Sequence, residues 1–402
     1  MMNLSQLLPG YFSIIIPFFC VISVINMAKQ SLLIVNRSAR KTMASLLMLG
    51  ISVPGYAEQH DEELEESRRA ESSASLVYRN PQERREAGLG TWITDWLKFS
   101  GLLETEKQFS QLRFENNVDD SEAEPTTVTV QAALYARIND WLEADMVFEV
   151  EHDGNAHSRL DEGEINAELD DWGLKIGLLY LPFGEYYSYF VTGPMLEFGE
   201  TRKNTVLIDY SFTDTIELAI FGFNSKVEQE SSDNQLDWGL SFEITTENES
   251  VRFGTSYISD LAETEEALLG TNTSTYGHLV PGWSAYLLLG FKHMEMTLET
   301  VQALREFEEL PDNANKPAAT NIELAYFLRQ DLQVALRVAH STELLSQPEK
   351  QYGVAAAWRI FENTTLSADY IHGIFKDGFY FDENGFELKS VDQYAIQLSM
   401  EF

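Results

Sequence analysis

The sequence predicts an all-β protein: a transmembrane antiparallel up-and-down β-barrel of about 16 strands, preceded by a short N-terminal periplasmic arm or helix. Three observations predict this fold. Apolar and polar residues alternate from Trp96 to Phe402, and many alternating segments are long enough to cross a bilayer. The connections between the segments are short and long in turn, as the two ends of a membrane barrel require.

The alternation gives each segment one apolar and one polar face. In segment 128–138, Val130 and Leu134 share a face that Gln131 and Arg137 oppose. Repeating this pattern along the chain predicts strands at 96–108, 126–138, 141–152, 161–170, 172–181, 203–212, 215–224, 235–245, 249–259, 282–291, 293–304, 319–328, 331–341, 351–360, 364–374 and 389–402. The strands of a soluble all-β protein also alternate apolar and polar residues. Strand length and the asymmetry of the connections therefore favour a membrane barrel.

The connections fall into two groups. The short ones include 139–140, 170–171, 213–214, 329–330 and 362–363. The longer polar ones are 109–125, 153–160, 182–202, 225–234, 260–281, 305–318, 342–350 and 375–388. Trp96, Trp141, Trp172 and Phe361 stand beside short turns, where an interfacial aromatic girdle is expected. The short turns therefore mark the periplasmic end.

The N-terminal region predicts export. Arg37, Arg40 and Lys41 precede an apolar core at 43–53, and cleavage is expected after Ala57. For the apolar stretch 11–26 two interpretations stay open: a membrane anchor, or translation from an upstream start with Met27 as the true start. The domains are then 1–57, an upstream extension plus signal peptide; 58–95, a polar arm or short helix; and 96–402, the barrel.

Composition narrows the function classes. The chain has 28 Lys+Arg against 64 Asp+Glu, a formal net charge of −36, so no nucleic-acid partner is expected. The one cysteine, Cys20, cannot form a disulfide framework or a cysteine zinc site. The final strand carries Tyr394, Ile396 and Met400 on its apolar face and ends on Phe402, which predicts recognition by the outer-membrane barrel-assembly machinery.

If the apolar faces meet lipid, the polar faces line a lumen. The predicted pore-lining residues are Glu143, Asp145, Glu149, Glu151, Glu162, Glu164, Glu168, Arg137, Arg252, Arg337 and Arg359. Rings of carboxylates favour cations, and facing arginines would add a transverse field. Two interpretations stay open, a cation-selecting constriction and mutually paired, hydrated lumen filler.

The loop at 182–202 is the candidate constriction. It combines Pro, Gly and several aromatic residues, and loops of this size are often functional. We expect it to fold against or into the pore, with an ordinary outside loop as the alternative. The residues proposed for this role are Glu185, Tyr186, Tyr187, Tyr189, Glu200 and Arg202.

Metal and catalytic chemistry find little support in the sequence. His152, Asp153 and His157 near Asp161 resemble a ligand set, but they flank a Gly-Asn loop tip, which favours a solvated turn. The spacing of Ser and His suggests no nucleophile with its base, and no glycine-rich phosphate loop is present. No catalytic residues, metal site or cofactor are therefore expected.

Several short motifs resemble the LbtU-type siderophore porin family. They are FSGLLETE at 99–106, ARINDW at 136–141, LYLPFG at 179–184, TGPML at 192–196 and EFGETR at 197–202. They cover the first half of the predicted barrel, and the second half matches in texture and strand spacing. The resemblance implies an outer-membrane barrel that takes up an iron-siderophore without a plug domain. The N-terminal stretch is shorter here than the coiled-coil-like segment of family members.

These expectations define three candidate functions. The first is a porin for small solutes, through the resemblance an iron-siderophore, with a plug-less acidic lumen. The second is a general or cation-preferring diffusion porin, and the third is a structural or adhesive barrel with a filled lumen. The expected partners are outer-membrane lipid, the assembly machinery, a small solute or ferric siderophore, and further copies of the chain in a homotrimer. An enzyme is not expected.

Overall fold

The computed structural model describes residues 81–402, except for 87, 116–118, 225–227, 230–235, 265–267, 269–274, 277, 346 and 382–384. The predicted upstream extension, the signal peptide and residues 58–80 of the predicted arm lie outside the described residues. The described part begins with helix α1, Pro81–Glu86, and a short strand, Thr91–Thr94.

Sixteen long strands follow in the described residues. They are β1 Leu97–Phe114, β2 Thr127–Asn139, β3 Leu142–His152, β4 Ala156–Leu169, β5 Trp172–Tyr180, β6 Arg202–Thr213, β7 Ile216–Asn224, β8 Leu236–Thr245, β9 Val251–Ile258, β10 Gly282–Phe291, β11 Met294–Ala303, β12 Ala318–Arg329, β13 Leu332–Thr342, β14 Lys350–Phe361, β15 Thr364–Ile374 and β16 Leu388–Glu401. The predicted all-β class and strand number are confirmed.

The strands form one closed antiparallel barrel. Each strand pairs with its neighbours in the chain, and β1 pairs with β16 from Leu102 opposite Glu401 to Phe114 opposite Leu388. Phe402 extends this seam, because its N–H donates to the Gly101 carbonyl and its own carbonyl accepts from the Gly101 N–H. Closure pairs both edges of each of the sixteen long strands, as a β-structure needs inside a bilayer.

Shorter strands add to the loop end. Asp119–Ala123 pairs with the upper part of β1, and the two-residue strands Glu228–Gln229 and Thr275–Tyr276 pair in parallel between two long loops. Short 3-10 helices, Met195–Gly199 and Leu261–Glu263, lie in the connections after β5 and β9. None of the described helices is long and apolar enough to cross a membrane.

The fourth strand differs from its predicted bounds. It begins at Ala156 instead of residue 161, so the predicted loop 153–160 is reduced to three residues. The reason is a β-bulge: Leu160 lies opposite Phe148 and Glu162 opposite Val147, which leaves Asp161 as the extra residue. The bulge and the polar residues before it interrupt the alternation from which the strand start was predicted.

The burial pattern is that of a membrane barrel. Along β3 the large apolar side chains Met146, Phe148 and Val150 are exposed, whereas Val147 and Glu149 are buried. A soluble protein would bury its large apolar face. The barrel therefore presents apolar side chains outward and polar side chains inward.

Aromatic side chains ring the short-turn end. Trp96, Trp141 and Phe361 are exposed there, and Trp172 packs against Tyr210 with ring centroids 4.6 Å apart. Their position next to the short turns is where a periplasmic interface is expected.

Candidate functional site

The connection between β5 and β6 turns into the barrel. This inner loop, residues 182–201, is closed at its base by the Leu181 N–H, which donates to the Thr201 carbonyl at 2.8 Å. Its entry requires glycine at position 184, where φ is +88° and a Cβ would lie 2.7 Å from the Tyr186 ring and 2.9 Å from a Glu299 carboxylate oxygen.

Three inner-face carboxylates hold the backbone of the inner loop. Glu299 on β11 accepts from the N–H groups of residues 185 and 186 at 2.6 and 2.8 Å. Glu323 on β12 accepts from the Tyr189 N–H at 2.8 Å, and Asp369 on β15 accepts from the Thr192 N–H at 2.8 Å. Charged acceptors on backbone N–H groups make strong hydrogen bonds, so the loop is fixed to the opposite wall.

Arg337 on β13 completes this attachment. Its Nε lies 2.8 Å from Glu323, its Nη1 donates to the Gly193 carbonyl at 3.0 Å, and its Nη2 donates to the Thr192 carbonyl at 2.9 Å. The guanidinium also lies 4.2 Å from the centre of the Phe190 ring. Arg337 was predicted to line the pore. The structure places this side chain beneath the inner loop, where it is fully buried and holds the loop backbone.

Apolar packing fills the space between the inner loop and strands β6–β13. Phe183, Leu196 and Phe198 of the loop are fully buried against inner-face residues such as Phe221 and Val301. This cluster lies inside the barrel. One part of the lumen is therefore packed like a protein core.

The residues predicted for the inner loop have different surroundings. Tyr187 is buried and packs edge-on against Tyr189, with centroids 4.6 Å apart, and the Tyr189 hydroxyl donates to Glu295 at 3.0 Å. Burial raises the pKa of the Tyr186 and Tyr189 hydroxyls, so both stay neutral. Glu200 is half-buried.

Two ion pairs link the predicted loop residues to the barrel wall. Arg252 on β9 pairs with Glu185, and its guanidinium lies 5.8 Å from the Tyr286 ring centre. At the base of the loop, Arg202 pairs with the buried Asp161 of the β4 bulge. Both arginines are thus neutralised by ion pairs with carboxylates.

The acidic wall forms the other side of the lumen. It is the inner face of strands β1–β4, and its carboxylates are Glu104, Glu106, Glu143, Asp145, Glu149, Glu151, Glu162 and Glu164. Glu149 accepts from Gln131 at 2.9 Å and pairs with Arg159 at 2.8 Å, and Glu143 accepts from the Tyr135 hydroxyl. On this wall, the partners of Glu143 and Glu149 are side chains of the barrel strands.

A cavity of about 350 Å³ opens at the loop end of the acidic wall. Its lining is Glu106, Gln108, Glu124, Pro125, Thr127, Thr129, Glu151 and Asp153. With several carboxylates and no basic side chain in its lining, this cavity is suited to hydrated cations.

The other predicted pore-lining residues lie towards the short turns. Arg137 is exposed there, with its guanidinium 5.2 Å from the Trp92 ring centre, and Glu168 is exposed near the end of β4. Arg359 is half-buried near the end of β14.

Helix α1 was not predicted to enter the lumen. Arg84 is fully buried and its Nη2 donates to the Gln131 side chain at 3.0 Å, while Arg85 pairs with Asp145 of the acidic wall. The sequence did not predict that this helix lies in the lumen, because the stretch around the two arginines is polar and has no apolar face.

The anchoring carboxylates were also missed, although a sequence signal exists. The inner faces of β12–β14 are rich in small residues, including Ala325, Ala335, Ala339, Ala355 and Ala357. Such a wall leaves room that another segment must fill, and Glu323 and Arg337 stand in its middle.

Potential metal ligands meet at a different place from the predicted one. His157 lies 3.9 Å from Asp153; His157 is exposed and Asp153 is half-buried, as expected for a solvated turn. Within the described residues, the carboxylates of Asp237, Asp260 and Glu263 lie within 4.8 Å of one another and are buried, with the Lys203 ammonium 2.5 Å from Glu263.

Known proteins place the fold. No family model matches the chain. A protein of Coxiella burnetii (strain RSA 493 / Nine Mile phase I) named UPF0422 protein is 24% identical over 333 residues, covering 76% of this chain and 70% of the relative. The anion-selective porin from Comamonas acidovorans has a TM-score of 0.56 at 10% identity, covering 76% of this chain and 99% of that one.

Two further solved barrels have the same architecture. The outer membrane channel DcaP of Acinetobacter baumannii has a TM-score of 0.53 at 12% identity, with 78% of this chain and 100% of that chain covered. OmpF of Salmonella typhi, solved with daunomycin, has a TM-score of 0.53 at 13% identity, covering 77% of this chain and 98% of that one. The protein is a closed outer-membrane β-barrel with the porin fold.

Proposed function

We propose that this protein is a diffusion porin of the outer membrane that prefers cationic over anionic solutes. The supporting observation is the asymmetry of the lumen. The inner loop covers Arg337 completely, whereas the acidic wall borders a cavity lined by Glu106 and Glu151. A solute in this cavity meets the carboxylates of Glu106, Glu124, Glu151 and Asp153.

Electrostatics give the expected direction. Carboxylates beside a narrow aqueous passage in a low-dielectric wall raise the local concentration of cations and repel anions. Arg159 and Arg252 reduce this charge locally, because they pair with Glu149 and Glu185. The remaining charge at the cavity is negative.

Single-channel recording in a salt gradient tests this function. The purified protein in a planar bilayer should conduct, and its reversal potential should indicate cation preference. The control is Arg329→Gln, which removes an exposed arginine at a short turn, where it pairs with Asp331, and should leave the reversal potential unchanged. Anion selectivity of the parent protein, or no conductance at all, would overturn the proposal. Liposome swelling separates an open channel from a structural barrel with a filled lumen.

Iron-siderophore uptake is the second candidate. It is supported by the motif resemblance over 179–202, since those residues form the end of β5, the inner loop and the start of β6. A deletion strain grown in limiting iron and given labelled ferric siderophore should accumulate less label than the parent strain. Equal accumulation would remove this candidate and leave the diffusion porin intact. Trimer formation and recognition by the assembly machinery stay predictions.

A further inference from the structure

Helix α1 is directed to the acidic wall by the turn that follows it. The Gly88 N–H donates to the Arg85 carbonyl at 3.0 Å and the Leu89 N–H to the Arg84 carbonyl at 2.9 Å, with Gly88 at φ +83°. This is the hydrogen-bond pattern of a Schellman C-cap. The motif requires a left-handed backbone conformation at the position of Gly88, which glycine adopts readily. The chain then runs through Thr91–Thr94, which pairs with the start of β1.

Charge and hydrogen bonding hold α1 in the lumen. Its sequence, PQERRE, contains no large apolar side chain, so it cannot bury a hydrophobic stripe. Arg85 pairs with Asp145, and its guanidinium lies 4.5 Å from the centre of the Tyr135 ring. An aromatic face beside a carboxylate is a favourable setting for a planar guanidinium.

Arg84 lies among carboxylates, but only part of its guanidinium group is hydrogen-bonded. Its side chain is buried near the carboxylates of Glu104 and Glu162, and its Nη2 donates to Gln131. Its Nε and Nη1 atoms find no hydrogen-bond partner among the described residues. Since unsatisfied buried donors are costly, a solute that offers a better fit can displace this segment.

We propose that Gln131, Tyr135 and Asp145 form a guanidinium-binding site on the acidic wall, and that the chain's own Arg84 and Arg85 occupy it as a tethered ligand. A guanidinium solute competes with α1 for the site, and its binding moves α1 off the wall. This inference rests on the proposed cation-preferring channel and names the class of cation that it recognises.

The test compares two probes of equal charge on single channels. Arginine methyl ester and lysine methyl ester are added at the short-turn side to the full-length protein and to an R84Q/R85Q variant. The arginine ester should block the variant with about tenfold higher affinity than the lysine ester, because one bidentate guanidinium–carboxylate contact is lost with an ammonium. The parent channel should be blocked more weakly than the variant, since α1 competes.

Further variants separate the site from a general charge effect. Adding Asp145→Asn to the R84Q/R85Q background should abolish the difference between the two esters, while Arg329→Gln should behave as the parent. If R84Q/R85Q does not assemble, Tyr135→Leu in the parent chain offers the same comparison, with reduced discrimination expected. Equal block by both esters in parent and variant would overturn the proposal. The reversal potential is recorded on the same channels, so a cation-selective channel without arginine preference refutes this site and leaves the proposed function standing.

Discussion

The two sides of the lumen carry the same kind of residue and use it differently. On β11, β12 and β15, Glu299, Glu323 and Asp369 accept backbone N–H groups of the inner loop and are buried beneath it. On the acidic wall, Glu106 and Glu151 border a cavity. A carboxylate on an inner face therefore acts as an anchor or as a channel charge according to what stands opposite it.

The size of the neighbouring residues explains the difference. Small residues on β12–β14, such as Ala335 and Ala355, leave room for Phe190 of the inner loop. The acidic wall carries long side chains at comparable positions, including Gln131 and Tyr135 on β2, and there the lumen accommodates α1. Packing volume thus selects which wall receives the loop.

Of the variants considered, Arg337→Ala should weaken the attachment of the inner loop to strands β11–β15 most severely. It removes the partner of Glu323 and leaves a fully buried carboxylate, a change that costs about 3–5 kcal/mol. Because the carbonyls of residues 192 and 193 also lose their donor, we expect the inner loop to detach and conductance to rise. Urea unfolding in detergent and single-channel recording measure the two effects.

The matched control replaces both partners of the buried pair. Glu323→Leu with Arg337→Met removes the uncompensated charge, and substitutions of this kind at buried ion pairs are often neutral in stability. The double variant should therefore unfold at a higher urea concentration than Arg337→Ala. Equal unfolding midpoints for parent and Arg337→Ala would contradict the anchoring role.

Phe198→Ala tests the apolar part of the same wall. Phe198 is almost fully buried between the inner loop and the barrel, and truncation of such a residue costs about 3–5 kcal/mol. Phe361→Ala, at an exposed aromatic beside a short turn, is the control and should cost less. A smaller loss for Phe198→Ala than for Phe361→Ala would show that the cluster does not hold the loop.

The sequence predicted the barrel well because strand alternation is a local property. The strand number and the faces of β3 and β16 follow from period-2 patterning. The start of β4 was predicted five residues too late, because the bulge at Asp161 interrupts the alternation. The small residues around Arg337 indicate that some segment covers it, but its partners could not be predicted, because they lie in a loop about 145 residues earlier in the chain. The same holds for Arg84, whose partner Gln131 lies 47 residues away.

Ala355→Leu sharpens the explanation from packing volume. Ala355 contacts the cluster around Phe190, and a larger side chain there should displace the inner loop at a cost of about 1–3 kcal/mol. The adjacent Ala356→Leu provides the control, because Ala356 is exposed on the outer face of the same strand. Stability should fall for residue 355 and stay within about 0.5 kcal/mol for residue 356. Equal losses for both variants would remove packing volume as the reason why the loop lies on this wall.

Glu106→Gln with Glu151→Gln should have the smallest effect on stability and a clear one on selectivity. Both carboxylates line the cavity and neither anchors backbone of the inner loop, so the change in unfolding free energy should be within about 1 kcal/mol. Their removal lowers the negative charge at the passage, and the reversal potential in a salt gradient should move towards that of a non-selective channel.

Glu299→Gln is the matched comparison, because the Glu299 carboxylate holds two N–H groups of the inner loop. In this variant stability should fall, and selectivity should change mainly through displacement of the loop. If both variants shift selectivity and stability alike, the two walls do not divide the tasks of anchoring and ion selection.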